Sequence, residues 1–144
     1  MICVMIVDDS EITRRQIRTA VEDFAKEAYI GLNIEPSVIE AANGKEALQM
    51  LKDNKVNIIL LDWTMPELSG LDFLKAVRSI ETYKSLPIIM ITGKKDKCDV
   101  IEALKYGATD YMVKPLDRQL FIEKMFLTLN IFRPTARQKA KLKP

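Results

Sequence analysis

Apolar residues in this chain come in short unbroken blocks, and each block is followed by a longer stretch whose apolar positions recur at helical spacing. "ICVMIV" (2–7) is a continuous apolar run, the pattern of a strand covered on both faces. The segment after it places Ile17, Val21, Phe24, Ala25 and Ala28 along one helical stripe, with Ser10 positioned as N-cap and Glu11 in the first turn. The alternation then repeats. "SVIEA" (37–41) precedes a helix over 43–54 with Ala47, Leu48 and Leu51 inward, and "NIILL" (57–61) precedes a helix over 70–80 with Leu74 and Val77 on one face. "PIIMIT" (87–92) leads into a helix over 97–106, stopped by Gly107 as a C′ residue. "DYMV" (110–113) leads into a last helix over 117–129, with Leu120, Met125 and Leu129 at helical intervals.

Five apolar strands alternating with five amphipathic helices predict an α/β fold, a doubly wound five-stranded parallel sheet with helices on both faces. Only the segment 26–37 leaves an element boundary open. A length of 144 residues suits one domain with a substantial core.

Charge modifies this picture little. The formal net charge is +2, but "RPTARQKAKLKP" (133–144) carries five bases and no acid, so the preceding 132 residues sum to 2 − 5 = −3. A mildly acidic body argues against direct nucleic-acid binding, which needs clustered Lys and Arg on a folded face. The basic end reads as a solvated, disordered tail from 132 to 144. No apolar run reaches the roughly 18 residues a membrane span requires, and "MICVMIVDD" lacks a signal-peptide pattern, so no membrane insertion and a cytoplasmic location are expected. Cys3 and Cys98 form no CxxC pair; Cys3 reads as a small buried hydrophobe and Cys98 as an incidental thiol near a helix start. The chain contains no His. That excludes His-based metal sites, Ser-His or Cys-His nucleophile pairs, and a phosphohistidine of its own.

The acids supply the chemistry. Asp8 and Asp9 follow the first strand and Asp62 the third, which places all three at carboxyl ends of parallel strands, where folds of this kind bind ligands. If the strand order is 2-1-3-4-5, the first and third strands are neighbours about 4.8 Å apart, and the three carboxylates converge. Thr92 closes the fourth strand and Lys114 the fifth at the same rim. Like charges so close need a neutralising cation, and an all-oxygen donor set without His or Cys selects a hard ion, with Mg²⁺ the fitting choice. A carboxylate can take up a phosphoryl group as an acyl phosphate if the transferring charge is offset. These residues therefore point to Asp62 as a phosphoryl acceptor, assisted by Mg²⁺, Lys114 and Thr92.

"VDDS" (7–10), "LLDWTMPELSGLDFL" (60–74), "IMIT" (89–92) and "GATDYMVKP" (107–115) together resemble the receiver domain of two-component response regulators, most nearly the single-domain, CheY-like chemotaxis type. The resemblance spans about residues 2–131, a receiver domain 1–131 followed by the basic tail or linker start 132–144. It implies the flavodoxin-like strand order 2-1-3-4-5. It also implies phosphorylation of Asp62 by a partner histidine kinase or phosphotransfer protein, with Asp9 and Asp62 as metal ligands, Asp8 their partner, and the backbone carbonyl of Thr64 as a further ligand. Thr92 and Lys114 match the phosphoryl-sensing hydroxyl and the lysine, Tyr111 matches the switch aromatic, and the Lys114–Pro115 bond is expected to be cis. Such domains are switches and not enzymes in the usual sense; weak self-phosphorylation from small phosphodonors and autodephosphorylation are the most they perform. Output is expected through a downstream protein bound by the fourth helix, fifth strand and fifth helix, with Tyr111 moving from exposed to buried on activation.

The positions two after Asp62 and two after Thr92 are Thr64 and Lys94, where the chemotaxis protein has an amide and an acid. Trp63 is expected to sit partly exposed beside the metal. A flavodoxin-like flavin carrier would need an anion cradle after the first strand, where "DDS" repels phosphate. A haloacid-dehalogenase-type phosphatase would carry its nucleophile on the first strand and a second acid where Thr64 stands. The remaining alternatives are a receiver-fold interaction module that is never phosphorylated, and the receiver part of a longer regulator with an effector domain.

Overall fold

The computed structural model describes residues 2–33, 35–137 and 140. Five parallel strands, β1 (Ile2–Val7), β2 (Pro36–Ala41), β3 (Ile58–Leu61), β4 (Ile88–Thr92) and β5 (Asp110–Val113), form one sheet in the order β2-β1-β3-β4-β5. Helices α1 (Glu11–Leu32), α2 (Gly44–Asp53), α3 (Gly70–Arg78) and α4 (Lys97–Lys105) connect successive strands, and α5 (Arg118–Leu129) follows β5. The expected flavodoxin-like, doubly wound architecture is the one observed. The sheet alternates its side chains between two cores, because successive residues of a strand face opposite ways. Val4, Ile6, Ile58, Leu60, Ile89 and Ile91 pack under α1 and α5, while Met5, Val7, Ile59, Leu61, Ile88 and Met90 pack under α2 and α3.

Local signals start and stop the helices as the residues dictate. Ser10, Asn43, Ser69 and Asp117 each accept a backbone N–H of the first turn through the side chain. Gly107, at φ +105°, follows α4, and Asn33 and Asn130 take the left-handed conformation after α1 and α5. Four ion pairs stitch α1 to its neighbours: Arg14 and Arg18 each to Glu40 of β2, Asp23 to Arg118 of α5, and Glu27 to Arg133 beyond α5.

Several expectations need correction. The open segment 26–37 is filled by α1 continuing through Leu32 and β2 starting at Pro36. A single 3-10 turn at Glu81–Tyr83, unforeseen, joins α3 to β4. Leu120 points outward: the buried stripe of α5 is Phe121, Ile122, Met125 and Phe126, one residue round the helix from the face that contains Leu120. Cys3 is only half-buried, because the first two residues of β1 lie at the open end of the sheet. The tail is not solvated from its first residues. Arg133 pairs with Glu27 at 3.3 Å and lies over the Phe126 ring, and Pro134 is buried, so contact with the body continues past 131. Lys139, Lys141 and Lys143 lie outside the described residues.

Candidate functional site

The register of the sheet assembles the site. Val7 of β1 is paired with Leu61 of β3, and the next backbone N–H groups are also taken, Asp62 N–H by the Val7 carbonyl at 2.9 Å and Asp8 N–H by the Ala41 carbonyl at 3.1 Å. Asp8 and Asp62 are thereby fixed side by side just beyond the strands. Thr92 is opposite Val113, and Lys114 N–H donates to the Thr92 carbonyl at 2.9 Å. Four strand ends thus deliver the residues expected from the sequence to one rim.

Asp8, Asp62 and Thr92 are buried, whereas Asp9 is exposed. One carboxylate oxygen from each of Asp8, Asp9 and Asp62 lies within 4.8 Å of the others. Lys114 Nζ is 2.9 Å from Asp8 Oδ2 and 3.6 Å from Asp62 Oδ2, and the Lys114–Pro115 bond is cis. The remaining Asp8 oxygen accepts Ser10 N–H at 2.8 Å, and Asp62 Oδ1 accepts Trp63 N–H at 2.8 Å. Burial, and after it the charge of Asp8, pushes the Asp62 carboxyl above the usual carboxylate range, against the opposing pull of Lys114, the Thr92 hydroxyl and the Trp63 N–H. Three carboxylates against one ammonium leave the rim with excess negative charge. An all-oxygen set of this kind, two members of it buried, fits a hard divalent cation.

Thr64 lies exposed on the loop after β3, two residues beyond Asp62. Trp63 does not lie there with it. It is buried in the α2/α3 core, because the loop folds back and Gly70 N–H donates to the Trp63 carbonyl at 2.7 Å. Lys94 Nζ lies over the indole ring, 5.0 Å from its centroid. Tyr111 is also not in the exposed position expected of a resting state. Its ring is half-buried, its hydroxyl donates to the Lys94 carbonyl at 2.6 Å, and burial, aided by Asp99 and Asp62, pushes its pKa up to about 12.

Three contributors were not foreseen. A Cβ on Gly70 would run into the carbonyl of Asp62 itself, so α3 can begin this close to the site only with glycine. Arg14 donates to the Asp8 carbonyl at 2.7 Å, and Glu40 holds Arg14 in turn at 3.1 Å. A lone acid inside the apolar block "SVIEA" was the available signal for Glu40.

The description of the response regulator receiver domain matches residues 4–126. The chain belongs to the response regulator receiver family. Among its relatives, the Helicobacter pylori chemotaxis protein CheY1 is 39% identical over 127 residues, covering 88% of this chain and 95% of the relative. The Pseudomonas aeruginosa chemotaxis protein CheY is 35% identical over 130 residues, covering 88% and 98%. The solved structure of Vibrio cholerae CheY4 superposes with a TM-score of 0.75 at 30% identity, over 89% of this chain and 98% of that one. As a receiver domain the chain is a signalling switch of the CheY-like group and not an enzyme in the usual sense.

Proposed function

We propose that Asp62 is the phosphoacceptor of a chemotaxis-type response regulator, which receives its phosphoryl group from the phosphohistidine of a partner kinase or phosphotransfer protein. The observation that carries this reading is the setting of Asp62: a buried carboxylate facing an ammonium at 3.6 Å, stabilised in its charged form by the Thr92 hydroxyl, and crowded by Asp8 and Asp9. Asp8, Asp9 and Asp62, with the Thr64 carbonyl, would hold Mg²⁺, which supplies positive charge opposite the transferring phosphoryl oxygens.

In the transfer an Asp62 carboxylate oxygen forms the new bond to phosphorus as the donor's P–N bond breaks, and the bonding pair leaves on the imidazole nitrogen. Lys114, already between Asp8 and Asp62, neutralises one of the added charges. Thr92 donates its hydroxyl to a phosphoryl oxygen. That movement carries the loop 93–96 with it, and the Lys94 carbonyl of that loop is what the Tyr111 hydroxyl grips. Tyr111 therefore follows Thr92, starting from a half-buried position. The output surface is the one formed by α4, β5 and α5, on which Ile101, Leu104, Val113 and Leu120 are exposed. The partner is a downstream protein, and nucleic acid is not contacted by this domain. Among the described residues no helix is long and apolar enough to cross a membrane; a cytoplasmic location is part of the proposal.

Beryllofluoride, a phosphoryl mimic, tests the switch. Amide shifts around Tyr111 are expected in the wild type with Mg²⁺ and beryllofluoride, and reduced shifts in Thr92→Ala. Shifts of equal size in both proteins would break the Thr92-to-Tyr111 coupling.

A further inference from the structure

Asp8 is held at each of its polar atoms. Its N–H is bound to Ala41, its two carboxylate oxygens take Ser10 N–H and Lys114, and its carbonyl takes the guanidinium of Arg14 at 2.7 Å. Asp9 makes no side-chain hydrogen bond or ion pair among the described residues, although its carboxylate completes the acidic trio. What aims Asp9 is the peptide that precedes it, whose oxygen is the Asp8 carbonyl. Rotation of that peptide swings the Asp9 Cα–Cβ bond away from Asp62.

The group that holds the peptide is itself anchored. Arg14 Nε donates to Glu40 Oε1 at 3.1 Å, and Glu40 Oε2 accepts from Arg18 at 2.6 and 3.0 Å. Glu40 is the neighbour of Ala41 on β2, so one strand fixes the Asp8 N–H directly and the Asp8 carbonyl through Arg14. Only the planar fork of a guanidinium presents donors to a carbonyl and a carboxylate in two fixed directions at once. We propose that Arg14, oriented by Glu40, is a positioning residue for the cation site: it sets the Asp8–Asp9 peptide and thereby aims Asp9. This rests on the reading of Asp8, Asp9 and Asp62 as Mg²⁺ ligands.

Charge and positioning make opposite demands. Removing a cation from the neighbourhood of a Mg²⁺ site should tighten binding by Coulomb's law alone; removing the support of a ligand should weaken it, by on the order of 10-fold. The experiment titrates Mg²⁺ against Trp63 fluorescence, Trp63 being the single tryptophan, in wild type, Arg14→Gln, Arg14→Lys, Glu40→Gln and, as a charge control, Arg15→Gln, whose exposed side chain pairs with Glu11 and with no other described residue. The Asp9 amide shift of each metal-free protein is read alongside. Expected are a roughly 10-fold loss in Arg14→Gln, smaller losses in Arg14→Lys and Glu40→Gln, a displaced Asp9 amide in all three, and unchanged or slightly tighter binding in Arg15→Gln. If Arg14→Gln does not fold, Arg14→Lys carries the same comparison. Unchanged or tighter Mg²⁺ binding in folded Arg14 variants overturns the positioning role alone. No Mg²⁺ response in wild type, or one that survives Asp9→Asn, overturns the ligand reading and the role of Arg14 together.

Discussion

At the amino ends of the strands, polar side chains are used to close backbone hydrogen bonds. Asn57 Oδ1 accepts Cys3 N–H at 2.8 Å, Thr109 Oγ1 accepts Ile88 N–H at 3.0 Å, and the Tyr83 hydroxyl donates to the Leu51 carbonyl at 3.1 Å. Arg78 bolts the end of α3 to the carbonyls of Gly107 at 2.9 Å and Tyr83 at 2.7 Å. At the carboxyl ends the same sheet sets carboxylates against one another, two of them buried, with one lysine among them. The lower rim spends its polar groups on the fold, whereas the upper rim keeps them in mutual repulsion, a state that a cation or a new hydrogen bond can relieve. Among the described residues, the second rim is the one that gathers carboxylates, an ammonium and a hydroxyl able to handle a phosphoryl group.

Substitutions at the two rims should separate these roles. The largest effect is expected from Gly70→Ala, because the new methyl meets the Asp62 and Trp63 backbone and not a side chain that can turn aside. A loss of about 3 kcal/mol or more in denaturant unfolding is expected, together with weakened Mg²⁺ binding. Stability and binding both at the wild-type level would show that the approach of α3 to Asp62 does not constrain the rim. Arg78→Ala comes next. It strips two carbonyls of a charged donor and should cost about 2–4 kcal/mol, with Mg²⁺ affinity unchanged once the protein is folded; a change in affinity would show that the rims are coupled. Asn57→Ala leaves the Cys3 N–H without its partner, for about 1 kcal/mol.

The smallest effect has the opposite sign. Asp62 is held above its usual pKa, so the folded state binds its proton more readily than the unfolded chain does, and its ionisation destabilises the fold at neutral pH. As pH falls through the folded-state value that penalty is relieved. Glu40, held low by Arg18 and Arg14, behaves in reverse: its contribution is present above the unfolded carboxylate pKa and lost as pH falls through its folded value. Metal-free wild type should therefore gain stability on mild acidification before losing it, and Asp62→Asn should be more stable than wild type at neutral pH and lack the gain. Parallel stability curves for the two proteins would contradict this.

Residues whose roles depend on strand ends were legible in the sequence, because a continuous apolar block with a polar or charged residue at its end says where the chain leaves the sheet. Asp8, Asp9, Asp62, Thr92 and Lys114 were found that way, and strand order followed from the resemblance. Residues whose roles depend on the third dimension were not. Periodicity alone does not set the angle at which α5 meets the sheet, and its apolar residues run almost all the way round, so Leu120 was placed inside. The burial of Trp63 and the need for Gly70 both come from the loop folding back over Asp62, and no local pattern announces that. Arg14 and Glu40 are 26 residues apart and meet only because β1 and β2 are neighbours.

The decisive measurement is the site of covalent labelling. Acetyl phosphate with Mg²⁺, followed by borohydride trapping and peptide mass spectrometry, should place one label on Asp62, absent from Asp62→Asn and lost when Mg²⁺ is chelated. A label on another residue, unaffected by Asp62→Asn, or no label in wild type under conditions where Mg²⁺ is bound, would contradict the assignment of Asp62 as phosphoacceptor.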